Sequence, residues 1–105
     1  MNDLRDLAQA LDDFANERDW RQFHTPKNLA MALAAEAGEL LHIFEWMTAE
    51  DSWEDERHDA AREEMADVLI YLVRMADVMG VDLLEAAQDK MKKNARKYPV
   101  DTLRG

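Results

Sequence analysis

An all-α fold is what this sequence predicts, on three observations. Only three Gly and two Pro interrupt 105 residues, so few positions break a helix. Hydrophobic residues make up 48% and charged residues 34%, which suits amphipathic helices around a core and is too apolar for a disordered chain. Apolar residues also recur at three- and four-residue spacing over long stretches. The length is that of one ordinary domain, expected to span residues 1–105 without a linker.

Four main helices follow in order. The first is expected from about Asp3 to Arg18, with Leu4, Leu7, Leu11 and Phe14 on one face. Asp19 to His24 reads as irregular and carries Trp20 and Phe23. Thr25 with Pro26 has the pattern of an N-cap followed by proline at the first helical position, opening a second helix to about Met47. Thr48 to Asp59 is acidic, with room for a short helix capped by Thr48 or Ser52 and anchored by Trp53. The third helix is expected from about His58 to Met79, with Gly80 as its left-handed terminator. Asp82 and Glu85 resemble a capping box that opens a fourth helix to about Lys97, and Tyr98-Pro99 ends it.

Composition removes several function classes. The formal net charge is −10, and no basic face is evident to displace counterions from a nucleic-acid polymer. No apolar run approaches the roughly 20 residues that cross a bilayer. Cysteine is absent, which excludes disulfides, thiolate catalysis and Cys-based zinc sites. Met1 to Asp6 is acidic and lacks an apolar signal core, so the expected compartment is the cytoplasm.

The informative residues are carboxylates in apolar stripes. With the second helix projected at about 100° per residue, Leu29, Leu40 and Ile43 fall within about 40° of Glu36, and Glu39 about 60° to one side. The third helix repeats this: Val68, Tyr71 and Met75 fall within about 40° of Glu64, and Asp67 about 60° to the same side. Each helix thus reads Glu-x-x-acid with its first acid inside the stripe, and residues at i and i+3 can converge on one point. Four facing carboxylates repel one another and resist burial, and a divalent cation resolves both costs. Oxygen-only ligands suit Mg²⁺, with Mn²⁺ as a substitute. The bland alternative is that each acid reaches a helix end or pairs with Arg62, Arg74 or a lysine.

Other side chains could serve a nucleotide. Trp20, Trp46 and Tyr71 are the better stacking candidates, whereas Phe44 and Trp53 read as packing. Lys90, Lys92, Lys93, Arg96 and Lys97 crowd the last turns of the fourth helix, where they either compensate the helix dipole or contact phosphates. Asn94 lies on the apolar edge near Met91 and Ala95, which favours a phosphate role for this face. Glu39-Leu-Leu-His42 matches the Glu-x-x-His element of di-iron bundles, but the third helix offers Asp67 rather than His at the matching place. His24, in a loop beside a helix start, reads as a hydrogen-bonded residue and not as a general base.

With these residues in view, the chain resembles the all-α nucleoside triphosphate pyrophosphohydrolases, the MazG-like proteins, and within them the dCTP pyrophosphatase branch. The resemblance rests on Glu36-Ala-Gly-Glu39 and Glu64-Met-Ala-Asp67, flanked by Glu17-Arg18-Asp19-Trp20, Pro26-Lys27-Asn28-Leu29, Phe44 to Trp46, Asp67 to Val73, and Lys90-Met91 through Asn94 to Tyr98-Pro99. Two departures stand out: Ala35 replaces the acid often found before the first Glu, and Leu11 stands where the animal enzymes are expected to carry a His near the base. The resemblance implies Mg²⁺ on Glu36, Glu39, Glu64 and Asp67, phosphate contacts from Lys90 and Asn94, and a base enclosed by Trp20, Trp46 and Tyr71. It also implies homotetramers or tightly paired dimers, in keeping with Val68 to Val73, which is apolar all round the helix.

The expected activity is hydrolysis of a (deoxy)nucleoside triphosphate, dCTP or a modified dCTP foremost, to the monophosphate and pyrophosphate, clearing unwanted nucleotides. The competing expectation is a non-enzymatic helical oligomer that binds a partner through its aromatic surfaces.

Overall fold

The helical elements open and close where short-range chemistry directs them. A computed structural model describes residues 1–100 of the chain. Helix α1 spans Leu4–Glu17, and the Asp3 side chain caps it by accepting from the Asp6 N–H. Its end is a Schellman turn. Asp19 takes the left-handed conformation at φ 59°, its N–H reaches Asn16 O at 3.1 Å, and the Trp20 N–H reaches Ala15 O at 2.8 Å. Aspartate tolerates that conformation better than most non-glycine residues. A single 3₁₀ turn, Arg21–Phe23, then leads to α2.

Helix α2 spans Pro26–Phe44, with the Thr25 hydroxyl accepting from the Asn28 N–H and Pro26 at the first position. It stops short of the expected Met47. The Met47 N–H bonds Phe44 O at 3.0 Å in a tighter turn, and His42 Nδ1 engages Glu45 Oε1 at 2.5 Å. The acidic connection holds two 3₁₀ turns, Asp51–Trp53 and Asp55–Arg57, the first opened by the Thr48 hydroxyl accepting from the Asp51 N–H. Helix α3 spans His58–Met79 and ends in a second Schellman turn at Gly80, φ 70°. The Asp82 side chain caps α4, Leu83–Lys97, by accepting from the Glu85 N–H.

The α2–α3 pair is the main packing interface, and α1 lies against α3. Phe44 near the end of α2 and Ala61 near the start of α3 line one small cavity, while Glu36 meets Asp67 further along. These two helices therefore run antiparallel. Ala15, Leu29, Ala61, Val73 and Ala76 are the buried apolar residues of a thin core. Helix α4 is not among the packed pairs. It leaves an open groove of about 730 Å³ between the start of α1, the end of α3 and its own first turns, including Leu4, Ala8, Val73 and Leu84. Leu84 and Met91 on α4 are 59% and 71% exposed. Within α3, Val73 is buried but Leu69 and Leu72 are exposed, so one chain covers only one side of this apolar segment. No helix among the described residues is long and apolar enough to cross a membrane. The single domain expected over 1–105 includes residues 101–105, which lie outside the described residues.

Candidate metal and nucleotide site

The antiparallel α2–α3 pair turns two local i, i+3 patterns into one cluster. Oxygens of Glu36, Glu64 and Asp67 all lie within 4.8 Å of one another, and all three residues are half-buried. Glu64 Oε2 is sealed from solvent and has no hydrogen-bond partner. A sealed carboxylate oxygen without a donor is costly. Glu36, facing it where a single proton would be shared, pushes the Glu64 carboxyl above its usual range; burial and the charges of Glu36, Asp67 and Glu39 act the same way. Glu39 is thus felt at the cluster, although its own carboxylate is exposed and stands outside the group of three.

The donor set fits a hard divalent cation. Every ligand atom is a carboxylate oxygen, and opposite ligands of an octahedral Mg²⁺ stand about 4.2 Å apart, twice a bond of about 2.1 Å. The three oxygens, all within 4.8 Å of one another, lie close enough together for one cation to engage them. A cation there would satisfy the orphaned Glu64 oxygen and cancel the repulsion that raises its pKa.

The other expected site residues fall in three places. Tyr71 is half-buried on α3, one helical turn beyond Asp67. Trp20 follows the Schellman turn of α1, with its ring edge-on to Phe14 at 5.7 Å between centroids and 62° between planes. The Arg18 guanidinium covers the Phe14 ring at 3.4 Å. Trp46, beyond the end of α2, is 89% exposed. Lys90 and Asn94 are exposed on α4, which is not closely packed against α2 among the described residues. The 730 Å³ groove is not lined by any of the four acids.

A second polar centre joins three elements. Arg74 on α3 is 5% exposed. Its Nε donates to His24 Nδ1 at 3.0 Å, and its Nη1 donates to Asp12 Oδ1 at 2.9 Å and to Asp77 Oδ2 at 3.5 Å. Asp12 also accepts two hydrogen bonds from Arg21. Hydrogen bonds from Arg21 and then Arg74 hold the Asp12 carboxyl below its usual range. Burial, with Arg74 beside it, holds His24 below the ordinary imidazole value. His24 is a hydrogen-bonded residue, as its sequence context suggests. Arg74, in contrast, pairs with Asp12 and Asp77 rather than with any of the four candidate ligands. The sequence signal for this centre is faint: one arginine inside an otherwise apolar helical run.

Comparison with known proteins bears on these placements. The sequence profile of the MazG-like family matches residues 31–105, a stretch that carries all four acids. The chain belongs to the MazG-like family. Among its relatives, dCTP pyrophosphatase 1 of Bos taurus is 44% identical over 97% of this chain and 63% of that protein. The Homo sapiens protein of the same name is 44% identical over 96% of this chain and 62% of its own length. This MazG-like chain therefore spans less than two thirds of the length of those mammalian relatives. A crystal structure of a pyrophosphatase from Archaeoglobus fulgidus superposes with a TM-score of 0.87 at 43% identity, over 90% of this chain and 91% of that one.

Proposed function

We propose that this MazG-like chain is a Mg²⁺-dependent nucleoside triphosphate pyrophosphohydrolase that converts a (d)NTP, dCTP or a modified dCTP foremost, to the monophosphate and pyrophosphate. The observation that carries this reading is the convergence of Glu36, Glu64 and Asp67 around an orphaned, sealed Glu64 oxygen. Its similarity to dCTP pyrophosphatase 1 and to an archaeal pyrophosphatase of nearly equal length supports the reaction class.

In this reading Glu36, Glu64 and Asp67, together with Glu39, would hold the metal. The bound cation supplies charge neutralisation on phosphate oxygens and a more acidic water, with Mn²⁺ able to substitute. The chain's own groups do the rest. Glu36 or Glu39 orients the attacking water and takes its proton. Tyr71 and Trp20 flank the base, and Trp46 closes over it. Lys90 and Asn94 contact the phosphates once self-association brings α4 over the cluster. A homo-oligomer, a tetramer foremost, also covers the exposed apolar residues of α3 and α4. Residues 1–105 work as a single domain in the cytoplasm, with neither nucleic-acid polymer nor membrane as partner.

The test is pyrophosphate release from a panel of NTPs and dNTPs, with Mg²⁺ and with EDTA, on wild type and Glu36→Ala. Release that requires both metal and Glu36 supports the reading, and the best substrate identifies the base. A folded protein that releases pyrophosphate from none of them rejects it and favours a non-enzymatic helical oligomer.

A further inference from the structure

The Asp12–Arg74–His24 centre lies outside the metal cluster, yet its three arms touch the elements that carry Trp20 and Tyr71. The segment from Trp20 to His24 is a compact unit. Phe23 N–H bonds Trp20 O at 2.9 Å, and His24 N–H bonds Arg21 O at 3.1 Å. Asn28 Nδ2 donates to Phe23 O at 2.9 Å and ties its far end to α2. Arg21 anchors the unit to Asp12 on α1. Only the His24–Arg74 bond, among the described side-chain hydrogen bonds, ties it directly to α3. Arg74 lies three residues beyond Tyr71 on that helix, nearly one turn.

We infer that Arg74, acting through His24 and Asp12, is a positioning residue that sets the separation between Trp20 and Tyr71 and thereby the affinity for the nucleobase. This rests on the pyrophosphohydrolase reading above for its ligand and for the pairing of Trp20 with Tyr71; the Arg74 tether itself is seen in the structure. A stacked base needs two flat surfaces at a fixed spacing, and here they belong to different elements. Arg74 is nearly inaccessible, carries a permanent charge and grips both elements, so it fixes that spacing with little freedom. The grip demands one protonation state. A guanidinium only donates, so His24 Nδ1 must be unprotonated, with the ring proton on Nε2. The charged groups in this hydrogen-bonded centre are Asp12 of α1, Arg21 of the turn, and Arg74 and Asp77 of α3. Gaining a proton turns His24 into a cation aimed at Arg74, and the α3 tether opens.

Two measurements on the full chain test this. In nucleotide-free and metal-free protein, the Trp20 indole N–H resonance, assigned with Trp20→Phe, is followed from about pH 8 to about pH 5. Wild type is expected to shift with one midpoint below about 6.5, the ordinary imidazole value. His24→Asn, whose Oδ1 replaces Nδ1 as acceptor and cannot gain a proton in this range, is expected to stay flat. A flat wild type, or the same shift in His24→Asn, overturns the inference. In steady-state kinetics near pH 8, Arg74→Met and His24→Ala are expected to raise KM about tenfold with kcat within about twofold, and His24→Asn to restore KM. Loss confined to kcat, or no rescue by Asn, overturns it as well. If no nucleotide is hydrolysed, the catalytic reading fails while the resonance still decides whether Arg74 positions Trp20.

Discussion

Glu36 and Glu64 bring carboxylate oxygens together across the α2–α3 interface, and Glu64 Oε2 is left there without a donor. Such a pair is a stability cost that a bound cation would relieve. Replacing Glu64 by Gln removes one charge and supplies an amide N–H that Glu36 can accept. Glu64→Gln is therefore expected to melt at a higher temperature than wild type without metal. Its pyrophosphate release should fall by at least about 100-fold, because several kcal/mol of charge stabilisation is lost and each ~1.4 kcal/mol is tenfold. A melting curve and a rate on the same preparation check both signs. A variant less stable than wild type without metal would show that Glu64 serves the fold.

Metal binding should appear as stability. A cation that binds the folded cluster and not the unfolded chain stabilises by RT ln(1 + [L]/Kd), about 2.7 kcal/mol at one hundred times Kd. Wild type is expected to melt progressively higher as Mg²⁺ is added and to return on EDTA, while Glu64→Gln responds weakly. Equal responses in both proteins would point to non-specific screening of the −10 charge.

The cluster and the Arg74 centre predict opposite pH dependences. Glu64 has its carboxyl raised above the unfolded value, so its folded form holds a proton longer. Its contribution is fully present below the unfolded value and is lost as pH rises through the folded value. His24 has its ring lowered, so the unfolded chain binds its proton first, and stability falls as pH drops from about 6.5 through the folded value. Asp12, also lowered, contributes above its unfolded value and is lost only as pH falls further. Urea midpoints without metal, followed against pH, should decline on the acid side in wild type and less in His24→Asn. Saturating Mg²⁺ should abolish the decline attributed to Glu64.

Much of this was legible in the residues because it is local. Thr25-Pro26, Gly80 and Asp82 fix helix ends by short-range hydrogen bonds, and the structure has all three. The phase of Glu36 against Glu64 was legible because period alone puts both in the apolar stripe. The Schellman turn at Asp19 was hidden, since a non-glycine residue at φ 59° leaves no compositional mark. The premature end of α2 was hidden too, because its sequence continues to look helical past Phe44. The partner of Arg74 could not be read, as Asp12 lies 62 positions away and only the packing of α1 on α3 brings it near.

The two Schellman turns make a paired prediction. Gly80→Ala places a side chain at φ 70° without any steric clash, so only backbone strain acts, and the expected cost is about 1 kcal/mol. Asp19→Gly relieves the same strain at φ 59°, offset in part by the unfolded-state entropy of glycine. It is expected to be neutral or stabilising by up to about 1 kcal/mol. Chemical denaturation of both variants checks the signs, and destabilisation by Asp19→Gly would mean that the Asp19 side chain matters to the fold.

Helix α4 carries the last prediction. Its N-cap is satisfied and its last turn is basic, with Arg96 and Lys97, so the helix is locally well formed. An isolated 15-residue helix is nonetheless marginal in water, and most helical stability comes from burying an apolar face. Leu84 and Met91, seven residues apart, supply such a face, and both stay more than half exposed among the described residues. The acidic remainder of a second copy complements the basic end of α4, which is why self-association is the expected cover. Sedimentation of wild type should give a mass above that of one chain, and Leu84→Asp with Met91→Asp should lower it while helicity falls only modestly. If the wild type stays a single chain at every concentration, Lys90 and Asn94 would have to reach the carboxylates by movement of α4 within one molecule. Cross-linking Lys90 to Glu39 in dilute protein would then reveal that movement.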